Sequence, residues 1–505
     1  MKKNVTFAKN NIIMKKISLL ALGVVSAFAL QAQDYEDALR CSETFVEGNA
    51  RYMAMGGALS SLGGNVGAMS VNPASSAMFK KSVAEFTPTY IYTKSEDHYL
   101  GYDKAITNAL KVPSFGIVGY KQLHQNDVFV SGISFGFAMN ANNRYDENIK
   151  YSGTNNSSSL TDDFLRLAQN GVLNEDYGQL AEDVYLLGCD GKGTASEKYF
   201  TDFVPATGSS SYGEYQDFKI DRSGVKREFL FNIGVNFSEY VFLGADLSFT
   251  NLYYQETKML TEIDRDRVKD LGDFTYKTEL DVEGSAVGGK FGLVARPVEF
   301  LRIGAAIHTP TVYSFSEDYV ATMTAYWDKV ELDDGTILID EERLSKAQYR
   351  NDYTIAQPMR MVGSLGFVYK NVLNVGVDIE TMDYSQCELR SNYSTMSDEN
   401  AGIASELQSV TNLKCGGEFR YGPFLFRAGY AMYGNPYKNV KDNFYRNDFS
   451  LGFGLATNAF YYDLGYVRAK SKQYNTLYTD LGNKNVEGES TIKRDYVMFT
   501  AGFKF

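Results

Sequence analysis

The chain has 505 residues, with 62 acidic against 50 basic side chains and a net charge of −12, a balance that argues against nucleic acid as a partner. Aromatic residues make up 14%, mostly 37 Tyr and 33 Phe, while Gly stands at 45 and Pro at 9. Mean hydropathy is mildly polar. That excludes a bundle of membrane helices but not a barrel, whose apolar side chains take every second position.

Residues 1–33 have the layout of a signal peptide. Lys15 and Lys16 are basic, Ile17 to Leu30 is apolar, and small residues stand at Ala29 and Ala32. Cleavage is expected near Ala32 or Gln33, with Met14 as an alternative start. The leader holds five Lys and no acid, which leaves the mature chain near −17. The apolar run is too short to span a bilayer as a mature helix, and no other segment approaches the roughly 20 apolar residues required. An exported chain of this kind can sit in a membrane only through strands.

Residues 34–81 are rich in Gly, Ala, Ser and Met and lack a two-residue rhythm. Gly56-Gly57-Ala58, Gly63-Gly64 and Asn72-Pro73-Ala74 allow tight backbone packing. The segment is expected to plug a lumen, because fourteen strands enclose more space than wall side chains fill.

From residue 82 to 505 the pattern alternates. Phe505, Phe503, Phe499 and Val497 share one face of the last segment, and Lys504, Gly502, Thr500, Met498 and Tyr496 the other. The rhythm recurs around 129–138, 229–237, 301–308 and 449–456. Its second face is mostly Gly, Ala, Ser and Asn, unlike the charged exterior of a soluble sandwich. Strands are predicted near 82–93, 113–121, 128–140, 227–238, 241–256, 275–297, 300–325, 351–370, 372–390, 410–421, 423–433, 446–457, 459–470 and 491–505. Short turns alternate with long connections, among them 94–112, 257–274, 326–350 and 471–490. The class predicted is all-β: a 14-stranded antiparallel transmembrane β-barrel with an N-terminal plug, in the outer membrane of a Gram-negative bacterium.

The insertion at 141–226 is expected to be a long extracellular loop. It carries a helical pattern over 161–187 that starts at Thr161, Asp162 and Asp163. Terminal Phe505 is the expected mark for the barrel assembly machinery. Cys41, Cys189, Cys387 and Cys415 allow three pairings, and Cys387 and Cys415 flank one loop as candidate cross-strand neighbours. Metal-type CxxC spacing is absent, and no cofactor is expected.

The stretch from Ser42 to Ala74, SETFVEGNARYMAMGGALSSLGGNVGAMSVNPA, resembles the N-terminal hatch of the FadL-type outer-membrane transporters, which ends in Asn-Pro-Ala. Gly48, Ala50, Gly56, Gly57, Asn72, Pro73 and Ala74 carry the likeness. LRIGAAIHTPT at 301–311, DIETMDYS at 378–385 and FRAGYAMYGNPY at 426–437 resemble family strands. The resemblance implies a monomeric plugged barrel that takes up long-chain fatty acids or aromatic hydrocarbons. Ligand would enter a pocket above the plug and leave sideways into membrane lipid, beside a kinked third strand holding Gly132 and Gly136. Related proteins labelled hemin receptors make haem an alternative ligand.

Passive uptake suits such a design, since moving each CH₂ out of water gains about 0.8 kcal/mol. Met53, Met55, Leu59, Met69, Met78 and Phe79 are candidates for an adaptable pocket floor, or they simply pack the plug. Arg302, His308 and Arg427 lie on the inward register. One of them could hold a fatty-acid carboxylate, or each could pair with inward Asp246, Asp378, Glu380 or Asp463. Haem uptake would need axial donors, and His98, His124 and His308 are the only histidines. With no histidine beside a nucleophile motif an enzyme is not expected. A structural or adhesive barrel remains a third alternative.

Overall fold

The structure, a computed structural model, describes residues 35–123, 129–191, 198–203, 212–265, 270–331, 336–392, 395–438 and 444–505. The expected signal peptide and His124 lie outside them. No helix among the described residues is long and apolar enough to cross a membrane.

The wall is one antiparallel sheet of eighteen hydrogen-bonded segments, and four strands are split in two, so the segments make fourteen strands. They are β1 Val83–His98, β2 Tyr102–Gln122, β3 Val130–Arg144 continued by Glu147–Asn155, and β4 Glu214–Phe237. Next come β5 Val241–Ile263, β6 Leu271–Val298, β7 Leu301–His308 continued by Thr311–Glu331, and β8 Ile337–Gln357 continued by Arg360–Tyr369. Then follow β9 Leu373–Asp383 continued by Glu388–Arg390, β10 Ser409–Tyr421 and β11 Phe424–Gly434. The last are β12 Phe444–Ala456, β13 Phe460–Thr479 and β14 Asn485–Lys504. β1 pairs with β14 from Val83↔Lys504 to His98↔Glu489, which closes the cylinder. Pro310 and Pro358 stand at the breaks in β7 and β8, where a residue without an N–H cannot continue the ladder.

The two-residue rhythm sorts the wall as expected. Val497, Phe499, Phe503 and Phe505 are exposed on the outside, while Tyr496, Met498 and Thr500 are buried inside. Phe231, Leu247, Phe291, Ile303, Leu365, Phe426 and Leu464 extend the exposed apolar surface around the barrel. A soluble monomer does not carry a patch of that extent, so this belt faces lipid. Single-chain barrels with an even strand number and such a belt are proteins of bacterial outer membranes.

Above the belt the strands run further than the hydrophobic pattern. β1 and β2 continue through most of 94–112 and turn at Tyr99–Gly101. Strands likewise occupy much of 257–274, 326–350 and 471–490, where long loops were expected. The physical reason is visible at Lys94–Asp97. Lys94 and Glu96 point outward to water and Ser95 and Asp97 inward, so backbone pairing persists after apolar alternation has ended. The expected neighbours Cys387 and Cys415 are apart. Cys415 sits exposed on β10 opposite Val377 and Tyr430, while Cys387 is buried beside Ser42 Oγ, so the two form no disulfide.

Helices α1 Tyr35–Ser42, α2 Ala50–Ala54 and α3 Val66–Met69, with a 3-10 turn at Pro73–Met78, fill the lumen. Helices α4 Thr161–Gln169 and α5 Gly178–Asp183 roof the mouth, the first beginning at the predicted Thr161. Phe164, Leu180, Val184 and Leu187 form one apolar core with inward Tyr151, Phe218, Phe274, Met323 and Trp327 of the wall. Helix α6 Ser397–Glu406 lies after β9.

Candidate functional site

The plug fits because the inner wall is stripped of side chains where the plug backbone touches it. A Cβ at Gly416 would lie 2.1 Å from Met55 O, one at Gly376 2.1 Å from Ala58 O, and one at Gly244 2.3 Å from Pro73 C. Every residue of the Asn72-Pro73-Ala74 tripeptide has a local task. Asn72 Oδ1 accepts from Ala74 N at 3.1 Å and caps the 3-10 turn, while its Nδ2 donates to Leu293 O of β6. Pro73 O accepts from Asn232 Nδ2 at 3.0 Å. Ala74 is fully buried against the wall with Ala77, Phe242 and Val294. Gly48 packs on Gly67, and Ala50 N donates to Thr500 Oγ1 at 2.8 Å. Gly56 and Gly57 take positive φ of 62° and 77°, which turns the chain after α2.

Charged wall residues grip the plug. Arg51 and Arg427 share the Glu418 carboxylate, and Arg427 Nη1 also reaches Asp463 at 2.7 Å. Arg302 donates to Leu62 O, and His308 Nε2 lies 2.8 Å from Val71 O with its Nδ1 against Arg360. The three inward residues singled out from the sequence, Arg302, His308 and Arg427, thus all hold plug or wall groups. Met53, Met55 and Leu59 are buried in the core that α2 makes with β13 and β14. Met69 and Phe79 pack on β2 to β4, and Met78 lies partly buried beside Ala74 and Ala77. His98 is exposed on the outer side of β1, so it and His308 face different surroundings.

Two further features lie above the plug and in the wall. Above the plug, Ala38, Leu39 and Cys41 of α1 pack into one buried apolar cluster with Tyr254, Tyr313, Phe315, Tyr353, Met382 and Tyr384. Helix α1 carries Glu36 and Asp37 in its first turn and Arg40 in its last, a helix signature readable in the sequence. The second feature is a break in the wall. The β2–β3 ladder runs from Gln122↔Gly132 to Ser114↔Asn140, and among the described residues no rung joins Tyr102–Pro113 to Glu147–Asn155. Gly132 and Gly136 are paired within the intact part, and Gly136 faces Met69 of the plug. The upper half of β3 swings inward after Tyr145 and Asp146. Lys150 N donates to Asp97 of β1 at 3.0 Å, and Tyr151 Oη meets Ser490 Oγ of β14 at 2.6 Å. Opposite, Gly224 of β4 takes a φ of 134°, and a Cβ there would sit 2.1 Å from Tyr253 O.

The break leaves a recess of about 440 Å³ between Asn108, Ala109 and Lys111 on one side and Asp146, Asn148 and Arg222 on the other. Lys111 Nζ and Asp146 Oδ2 stand 4.0 Å apart across it. No group of three or more His, Cys, Asp and Glu that could hold a metal occurs among the described residues.

No family model and no curated protein matches the chain. Solved structures do. A Pseudomonas aeruginosa FadL homologue aligns over 92% of this chain and 100% of its own at 14% identity, with a TM-score of 0.53. The chain has the FadL fold. The Pseudomonas putida toluene transporter TodX aligns over 92% of this chain and 98% of its own at 12% identity, with a TM-score of 0.50. In this FadL-fold barrel the plug fills the lumen, the apolar cluster around α1 lies above it, and the wall break lies between β2 and β3.

Proposed function

We propose that this protein is a passive outer-membrane channel for hydrophobic compounds, long-chain fatty acids or monoaromatic hydrocarbons, with the apolar cluster around α1 as the binding site and the β2–β3 break as the exit. The observation that carries the reading is the break itself. The ladder between β2 and β3 is interrupted beside a plugged lumen, which a scaffold or adhesin has no need to do. The plug blocks a straight aqueous path, so a solute must leave through the wall. An apolar solute gains by that route, because it moves from a cluster of Tyr, Phe and Met side chains toward lipid. A C16 chain stabilised by about 0.8 kcal/mol per CH₂ needs no carboxylate partner to favour the site, which accords with Arg302, His308 and Arg427 being engaged elsewhere. No chemical step is involved, and the TodX likeness supports the hydrocarbon class.

The test is uptake by cells that lack a hydrophobic-compound transporter of their own. Expression of this chain should raise uptake of labelled palmitate or toluene and leave a sugar of similar mass unchanged. Sugar uptake with no gain for either hydrophobic probe would overturn the reading and make the protein a porin.

A further inference from the structure

We propose that the outer surface of the wall from β4 to β9 seats the sugar head group of an outer-leaflet glycolipid. The basis is a single row of residues in register across six strands. Arg227 pairs with Asn251, Asn251 with Ser285, Ser285 with Ser314, Ser314 with Thr354, and Thr354 with Arg390. All six point outward. Five inter-strand steps of about 4.8 Å make the row roughly 24 Å long. Its centre carries short side chains and its ends carry arginines, so the surface is scooped, and a groove of about 880 Å³ lies along it.

Position fixes what the groove meets. The row of outward residues below it includes Phe249, Val287 and Val312, all exposed and part of the lipid belt. The row above includes Tyr253, Glu283 and Asp352, which also line the groove. The groove is therefore the first polar band above the hydrocarbon, on the side of the roof, at the depth of outer-leaflet head groups. Hydroxyls, an amide and two guanidiniums beside an exposed Tyr ring suit a polyol better than a protein surface, which would need an apolar centre. The charge is mixed, since Glu388 holds Arg390 at 2.7 Å and Glu283 and Asp352 face the same space. That favours a sugar-rich head group over one that is anionic alone. Acyl chains of the same molecule would lie down the Phe249, Val287 and Val312 strip, so one lipid would use both rows.

This inference stands on the outer-membrane placement and not on the transport reading, so either can fail alone. The test uses the full chain in mild detergent, with rough-type lipopolysaccharide and phosphatidylglycerol of matched acyl length as probes and native mass spectrometry as the readout. Lipopolysaccharide should be retained at least tenfold more than phosphatidylglycerol. Ser314→Trp, which fills the centre of the row, should bring it down to the phosphatidylglycerol level. The double variant Arg227→Ala/Arg390→Ala supplies the same test if Ser314→Trp does not fold, as judged by heat-modifiable migration. Equal retention of the two lipids, or unchanged retention by folded variants, would overturn the proposal. Full competition by the deacylated saccharide would also overturn it, by making the groove a site for soluble sugar.

Discussion

Glu47 of the plug and Arg144 of β3 form a buried ion pair, Oε2 to Nη2 at 2.9 Å, at the point where β3 leaves the barrel wall. Tyr496 Oη donates to the same carboxylate at 3.1 Å, and Phe45 N and Glu47 N donate to Asn142 O and Ala141 O. The plug thus adds a short rung to the strand whose departure opens the wall. Plug docking and the shape of the break are held by one set of contacts.

Removing one partner of a buried pair leaves the other charge stranded and costs about 3–5 kcal/mol. Glu47→Gln should therefore loosen the plug while the barrel, held by its backbone ladder, stays closed. Hydrogen exchange should accelerate over 35–81 and stay unchanged over β10 to β13. Equal protection in variant and parent would show that the pair does not hold the plug.

The glycine lining predicts a steric version of the same effect. At Gly416 any side chain meets the Met55 carbonyl at 2.1 Å, and backbone on both sides cannot give way as a flexible side chain would. Gly416→Val is expected to cost the plug more than the roughly 1–3 kcal/mol of ordinary overpacking and to expose 35–81 to limited proteolysis in a barrel that still shows heat-modifiable migration. A plug as resistant as the parent's would contradict the close fit.

The roof responds to pH through Asp162. Burial pushes its carboxyl up to about 6, against the Ser159 amide and Tyr212 hydroxyl bonds that favour the anion. A carboxyl raised on folding stabilises the roof fully below the unfolded value near 4, and that contribution is lost as pH rises through about 6. Hydrogen exchange over 160–187, corrected for intrinsic rates, should be slower at pH 5 than at pH 7.5. Asp162→Asn should flatten the difference, and a flat profile in the parent would count against this role.

Trp327 pins the roof by donating from Nε1 to Val184 O at 3.0 Å while its ring is buried in the roof core. Trp327→Ala should cost about 3–5 kcal/mol and be felt in α4 and α5 first. Protease nicking within 160–190 at unchanged barrel stability is the expected outcome.

The barrel was legible because lipid outside and a Gly, Ser and Asn interior impose opposite demands on successive residues, as Val497 to Phe505 show. Strand ends were not, because above the belt both faces of β1 and β2 are polar and the rhythm fades at Lys94. The plug was readable from its small residues, and its Asn72-Pro73-Ala74 turn does lie against β4 to β6. What alternation did not disclose was which lumenal charges meet. Arg427 could be placed on the inward face with Asp463 among its candidate partners, but Glu418 faces it across the β10–β11 hairpin and Arg51 reaches the same carboxylate from the plug, far away in sequence. The wall break was hidden from the alternation, since it is an absence of rungs between residues that alternate normally, and only the family resemblance implied a gap beside the third strand.

The most direct measurement is hydrophobic uptake with the β2–β3 break tied shut. In a background with the four native cysteines changed to Ser, Ala109→Cys and Asn148→Cys would be joined across the recess by a short bifunctional thiol reagent with a reducible linker. Palmitate or toluene uptake should fall to background on joining and return on reduction. Undiminished uptake with the break joined would contradict lateral passage through the wall.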